Sequence, residues 1–303
     1  MPRPYFFSVL LAGALGAVLG PAEPADAARR VTCGQTFEGE GALSSSCAGD
    51  IVVAGGRLDL RGFTVHGSIA CTGAYCLVVS DPPNGAVRGS RQPGSIGISA
   101  GGAIEGAGDL AIDNVIVAGF GTGVAAANVQ VVRSLVAGNV ARGVDALMGI
   151  ETVDAIVSLN GDDGLHARLG GVSLDRTLVS ENGGSGVRAL AGVAAFETVV
   201  RDNGRDGIEN YSAPAVVAGS TIVGNGRHGV RSDDSDCVPA DGLTVTGSEI
   251  AGNAVDPACG SEQVCADLVA CAAPAMDPAS VCVSSHQMAS GLPGASWGTC
   301  SGD

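Results

Sequence analysis

Asparagine recurs at Asn139, Asn160, Asn182, Asn203, Asn225 and Asn253, at intervals of 21, 22, 21, 22 and 28 residues. Four residues after each of the first five stands a glycine (Gly143, Gly164, Gly186, Gly207, Gly229), followed at once by an aliphatic residue: Val144, Leu165, Val187, Ile208 and Val230. Ahead of each Asn runs another aliphatic column, read here as Leu135, Ile156, Leu178, Val199, Ile222 and Ile250. A fixed period of this length is the signature of a solenoid, in which each repeat buries its apolar face only against copies of itself. A weaker turn, Ile116 to Val124, fits the pattern with one residue missing, and Ile51 to Val117 reads as less regular coils.

One period resolves into three short strands. In the unit from Gly186 to Asn203 these are Val187 to Ala189, the stretch around Val193 to Ala195, and Thr198 to Val200, with Arg201 to Asp206 as the return loop. Three-residue strands hold no apolar face alone, but stacked ~4.8 Å apart they form parallel sheets with continuous inward columns. A helical reading fails, because the apolar residues do not recur at 3.6 and glycine at this density costs roughly 1 kcal/mol per interior position. The 48 glycines lack the every-third spacing of a triple helix, and a 46% hydrophobic content is too high for a disordered chain.

The units Asn160-Gly-Asp-Asp-Gly-Leu165, Asn182-Gly-Gly-Ser-Gly-Val187 and Asn203-Gly-Arg-Asp-Gly-Ile208 resemble the right-handed parallel β-helix family of pectate-lyase-like proteins. The Leu-x-x-Leu-x-Leu core of leucine-rich repeats, which share a similar period, is absent. The resemblance spans roughly residues 50 to 255. It implies an all-β, single-stranded right-handed parallel β-helix of about nine coils with disulfide-stapled ends. Its functions are diverse: the fold hosts lyases, hydrolases, epimerases, adhesins and inert passengers. The expected organisation is a signal peptide over 1–27, an irregular amino-terminal cap over 28–50, the β-helix over 51–253, and a Cys-rich carboxy-terminal cap over 254–303. The longer interval before Asn253 marks a loop leaving the stack near Ser232 to Cys237.

Export follows from Arg3, the apolar run Tyr5 to Gly20, Pro21 and the small-residue site Ala25-Asp26-Ala27. The run is short for a membrane span, and no later stretch reaches ~20 apolar residues. The expected location is therefore extracellular, cell-surface or periplasmic. Ten cysteines, Cys33, Cys47, Cys71, Cys76, Cys237, Cys259, Cys265, Cys271, Cys282 and Cys300, form an even set at the two ends, which predicts disulfides. Pairing is open; Cys33 with Cys47 and Cys71 with Cys76 are the simplest near-neighbour choices. No Cys-x-x-Cys occurs and the four His are scattered, which argues against zinc. All 16 basic residues are Arg against 31 acids, a net charge of −15. That balance removes a basic nucleic-acid face and any Lys-based mechanism.

Because side chains alternate along a strand, the residue after each Gly-aliphatic pair should face solvent. The resulting row is Ala125, Asp145, His166, Arg188, Glu209 and Arg231. Return loops add Asp162, Asp163, Asp202, Arg205, Asp206, Arg227 and His228. In the enzymes that this sequence resembles, a sugar groove follows the outside of one sheet, so the resemblance suggests carboxylates as general bases and Arg as uronate clamps. The plainer expectation is that opposite charges on adjacent strands pair, Arg188 with Glu209 and Glu209 with Arg231. Asp162-Asp163 and Gly226-Arg227-His228-Gly229 resemble paired-Asp and Gly-His-Gly elements of polygalacturonase-like hydrolases, but three coils separate them, roughly 14 Å along the stack. The Asn column is expected to be structural, with left-handed turns and stacked amides. No cofactor is expected. Calcium is the sole alternative, at Asp233, Asp234 and Asp236, which lack the spacing of known calcium loops. Trp297 should fill a small core in the terminal cap.

Two functions follow. The first is an exported non-catalytic β-helix, a structural module or one that binds a polysaccharide or cell-surface glycan; sparse aromatics, 3% of the chain, favour it over a processive enzyme. The alternative is a lyase, hydrolase or epimerase working on an anionic uronate glycan beside Asp145, His166, Arg188 and Glu209.

Overall fold

The computed structural model describes residues 28–101, 108–232, 242–253, 268–270, 275–276, 280–282, 285–289 and 292–293. The signal segment, the Ser232–Cys237 loop beyond Ser232, Asp233, Asp234, Asp236, Trp297 and Cys237, Cys259, Cys265, Cys271 and Cys300 lie outside these. Every regular element among the described residues is a strand, and apart from the antiparallel pair Ser285–Ala289 with Leu292–Pro293 the strands stack in parallel as a β-solenoid of about nine coils. No described helix is long and apolar enough to cross a membrane.

Each coil contributes to three faces. One regular coil runs through Leu165–Ala167 on the first face, Val172–Asp175 on the second and Leu178–Ser180 on the third. The next repeats them as Val187–Ala189, Val193–Phe196 and Val199–Arg201, paired residue for residue. In the earlier coils the first two faces merge into long bent strands, Thr122–Val132 and Val144–Val153, with a register shift between Ala126 and Asn128.

Three aliphatic columns fill the interior. On the first face Ile51, Ile69, Ile98, Val124, Val144, Leu165, Val187, Ile208 and Val230 lie in register, each fully buried. Burial of each such side chain is worth roughly 1.5–3 kcal/mol, which a three-residue strand obtains only inside a stack. The third-face column corrects the sequence reading by one residue. Val136, Val157, Val179 and Val200 point inward with Ile222 and Ile250, whereas Leu135, Ile156, Leu178 and Val199 point outward. Both neighbouring positions are aliphatic in those four coils, so the pattern alone left the slip invisible, and a slip of one moves a whole column to the other side of a sheet.

The repeat motif has a direct packing cause. Nδ2 of each Asn donates to Oδ1 of the next, from Asn139 to Asn160 at 2.8 Å and onward through Asn182, Asn203, Asn225 and Asn253 at 2.9 Å. The same amide also satisfies a backbone carbonyl such as Val157 O. The glycine four residues on is required by its closeness to this ladder: a Cβ on Gly186 would lie 2.8 Å from Asn203 Nδ2 and from Gly207 O. The Asn residues are not, however, the left-handed ones. That conformation belongs to the residue before each, Gly138, Leu159, Glu181, Asp202, Gly224 and Gly252.

At the amino-terminal end, segments expected to be irregular continue the stack. Arg29–Val31 pairs with Thr36–Leu43, which pairs in turn with Ile51–Asp59. Cys33 is bonded to Cys47 and Cys71 to Cys76, and Cys282 is disulfide-bonded as well.

Candidate functional site

The first face presents one outward residue per coil. Ala125, Asp145, His166, Arg188, Glu209 and Arg231 align in consecutive register. The row is not uniformly solvent-facing, contrary to the alternation rule. Ala125, Asp145 and Glu209 are buried, Glu209 to 1% exposure. Asp145 is covered by Arg142, His166 and Arg168, and Glu209 by Arg188, Tyr211 and Arg231.

Two carboxylates form separate charge clusters. Asp145 receives Arg142 at 3.2 Å, Arg168 Nε at 2.9 Å and His166 Nδ1 at 3.2 Å, with a second short contact from Arg168. Burial alone would raise its pKa, but hydrogen bonds from His166 and Arg168 and the charges of Arg142 and Arg168 outweigh that, holding it well below the usual carboxylate range. Three coils on, Glu209 accepts hydrogen bonds from Tyr211 Oη and from Ser185 Oγ at 3.2 Å, and pairs with Arg188 at 3.5 Å and Arg231 at 3.7 Å. Arg188 also donates to Tyr211 Oη at 3.1 Å, with its guanidinium 5.5 Å from the ring centroid. Burial and the hydrogen bond to Glu209 push the Tyr211 phenol up to about 12.

Beneath the row lies a second column, the residue preceding each repeat glycine: Arg142, Asp163, Ser185, Asp206 and His228. The sequence suggests solvated loop positions here, but Asp163 and Asp206 are 1% and 0% exposed. Each accepts at Oδ1 a hydrogen bond from a backbone amide of the next coil, Ser185 N at 2.9 Å and His228 N at 3.0 Å. Each Oδ2 is buried without a hydrogen bond; that of Asp163 has Arg188 at 3.9 Å. Burial raises both carboxyls, Asp206 to about 6 with the Glu209 charge adding to the effect. Asp162 stays near the surface, 3.6 Å from Arg142 Nε, and Asp202 pairs with Arg201 at 2.8 Å. Asp163 and His228 remain three coils apart, so the two hydrolase-like elements do not converge.

At the corner where the first face turns toward the second, a depression of about 250 Å³ is lined by His166, Ala167, Arg168, Arg188, Ala189, Leu190 and Tyr211. Its floor is the small-residue column Ala167 and Ala189, and its walls carry two guanidiniums on consecutive coils. Arg168 and Arg188 keep 35% and 33% side-chain exposure despite their ion pairs. Arg168 and Arg142 were not singled out in the sequence; the signal for Arg142 was its place in the same slot as Asp163 and Asp206. No cluster of metal-ligating side chains occurs among the described residues.

No family model matches the sequence, and neither does any curated protein. Among solved structures, the chain is similar to the A-module of mannuronan C-5 epimerase AlgE6 from Azotobacter vinelandii, with 16% identity over 79% of this chain and 68% of that one and a TM-score of 0.42. It is also similar to pectate lyase Pel9A, with 16% identity over 84% of this chain and 70% of that one and a TM-score of 0.48. At this identity the chemistry of those proteins does not transfer.

Proposed function

We propose that the protein is an exported β-solenoid that binds an acidic, uronate-type glycan without turning it over. The carrying observation is the state of the row's charges. Asp145 and Glu209 are each engaged by several donors or cations, which leaves neither poised as a base. Arg168 and Arg188, although ion-paired, keep about a third of their side-chain surface exposed, 35% and 33%, in a depression with a Tyr ring on one side. Guanidinium forks match carboxylate geometry, and a Tyr face suits the apolar face of a sugar ring. The disulfides support export, since they persist in oxidising compartments.

Titration calorimetry with oligogalacturonate and oligomannuronate, against neutral oligosaccharides of equal length, tests this reading. Binding is expected only for the acidic series, weakened by salt, and reduced ~10–100-fold in Arg188→Ala with an unchanged circular dichroism spectrum. Equal binding of neutral and acidic chains, or none of either, would defeat it. The enzymatic alternative draws on the raised Asp163 and Asp206 carboxyls and on Tyr211. Release of unsaturated or reducing ends that is lost in Tyr211→Phe would replace the binding reading with it.

A further inference from the structure

The corner between the first and second faces differs in kind from the charged row beside it. Over four consecutive coils it is built by residues 146–149, 167–171, 189–192 and 210–214, and these segments hold a single charged residue, Arg168. Backbone hydrogen bonds set two columns there. Leu147, Arg168, Leu190 and Tyr211 stack in the first, since Arg168 N donates to Ala146 O, Leu190 N to Ala167 O and Tyr211 N to Ala189 O. Met148 and Leu169 stack in the second, with Leu169 N donating to Leu147 O.

Three large apolar side chains stand out from this corner on consecutive coils: Met148 is 46% exposed, Leu169 54% and Leu190 37%. Exposed hydrophobic residues scattered singly are ordinary, but three on adjoining coils ~4.8 Å apart make a ridge ~10 Å long. Leu190 also lines the depression that carries Arg168 and Arg188. The ridge and the cationic depression are therefore one continuous surface. On the following coil the register position of Leu190 passes to Tyr211, whose ring lies 5.5 Å from the Arg188 guanidinium, and Ser212 comes next. The ridge thus has room for one apolar group beside the depression, and not for one on every sugar of a chain.

We infer that the ligand of this surface is amphiphilic: an acidic glycan whose uronate carboxylate meets Arg168 and Arg188 and whose apolar aglycone lies along Leu190, Leu169 and Met148. The inference rests on the acidic-glycan reading above and adds to it the class of glycan, a uronate glycoconjugate. Charge complementarity and apolar area together select this occupant. A neutral apolar partner would leave two guanidiniums without an anion, whereas a wholly polar uronan would leave the ridge in water. A guanidinium fork fixes the planar carboxylate, and the unbranched thioether of Met148 adapts to a flexible chain at the far end of the ridge.

Titration calorimetry below micelle-forming concentrations, with the methyl and hexyl glycosides of trigalacturonate and with hexyl maltotrioside as the uncharged control, tests this. A methylene covered on one side gains about two-fold in affinity, so the added methylenes of the hexyl group should tighten binding ~30-fold. Met148→Ser combined with Leu169→Ser, two exposed positions outside the interior columns, should abolish most of that gain while leaving the methyl glycoside's affinity and the circular dichroism spectrum unchanged. Phe196→Ser, exposed on the second face, should preserve the gain. Hexyl maltotrioside should bind at least ~10-fold more weakly than hexyl trigalacturonide. Equal affinities for the two trigalacturonides, or a gain that survives the double substitution, would overturn the inference while leaving acidic-glycan binding intact; failure of every uronate to bind would remove the reading beneath it as well. Cosedimentation with phosphatidylcholine vesicles, or self-association in sedimentation velocity, would also overturn it if lost in the double variant, by assigning the ridge to a lipid surface or to a second copy of the chain.

Discussion

Asp206 offers a sharp test of the buried column beneath the charged row. Its carboxyl is fully buried, one oxygen accepts the His228 amide, and the other has no hydrogen bond. Around it stand Glu209, which opposes ionisation, and Arg227 and Arg231, which favour it. Because burial raises the folded-state value to about 6 from an ordinary 3.8, the folded chain holds this proton more tightly than the unfolded one. The resulting stability is fully present below the unfolded value and is lost as pH rises through about 6, an amount of roughly 3 kcal/mol. Asp206→Asn removes the titration while keeping an oxygen for the His228 amide. Its new amide hydrogens occupy a place without a partner, a cost of ~1–2 kcal/mol, so the variant should be more stable than wild type by ~1–2 kcal/mol near neutrality and equal or less stable near pH 3.5. The difference between variant and wild type is the decisive quantity, because Asp163 shifts in the same direction and Asp145 in the opposite one, and both contributions cancel in it. Guanidinium denaturation followed by far-ultraviolet circular dichroism at several pH values measures it, provided the denaturant slope is common to both chains. A difference that stays flat within ~1 kcal/mol from pH 3.5 to 7 would refute the buried, poorly solvated carboxylate.

Two further perturbations address the ladder. Asn182→Ala removes the acceptor for Asn160 N and Nδ2 and the donor to Asn203 Oδ1 and Val157 O. Four buried bonds at ~1 kcal/mol each predict a loss of ~4 kcal/mol by the same denaturation assay, and a loss under ~1 kcal/mol would mean that the ladder is decorative. Gly186→Ala places a methyl 2.8 Å from Asn203 Nδ2, Gly207 O and Val200 Cγ1, whereas Gly242→Ala meets nothing within 4 Å. The first should lower the melting temperature through an overpacking cost of ~1–3 kcal/mol and the second should leave it unchanged; equal effects would break the account of the Asn-to-Gly spacing.

The parts of the fold legible in the sequence are those where one chemical requirement repeats in every coil. An amide is needed at each rung of the ladder, and the residue four positions on must lack a Cβ because the next amide lies against it; both therefore show as a period. The third-face column was harder to read because Leu135 and Val136, or Leu178 and Val179, are both aliphatic, and alternation separates inside from outside only when one of the two is polar. Burial of Glu209, Asp163 and Asp206 was not legible for a different reason. Exposure there is decided by Arg188, Arg231 and Tyr211 from neighbouring coils, whose reach across the face is a property of side-chain conformation and not of spacing.

In-register parallel stacking sets a harsher electrostatic condition than an ordinary surface, since equivalent residues come within ~4.8 Å of each other in every coil. A row repeating one charge would repel itself along its length. The observed row alternates instead, Asp145, His166, Arg188, Glu209, Arg231, and each acid is drawn down beneath the cations of its neighbours. The consequence is a chemical asymmetry that net charge hides. Over the whole chain acids outnumber bases by 15, yet beside the depression Asp145 and Glu209 are submerged while Arg168 and Arg188 keep 35% and 33% side-chain exposure. The pairing that relieves repulsion along the stack is thus also what withdraws Asp145 and Glu209 from solvent and leaves the arginines above them, and the proposed preference for anionic ligands rests on that arrangement.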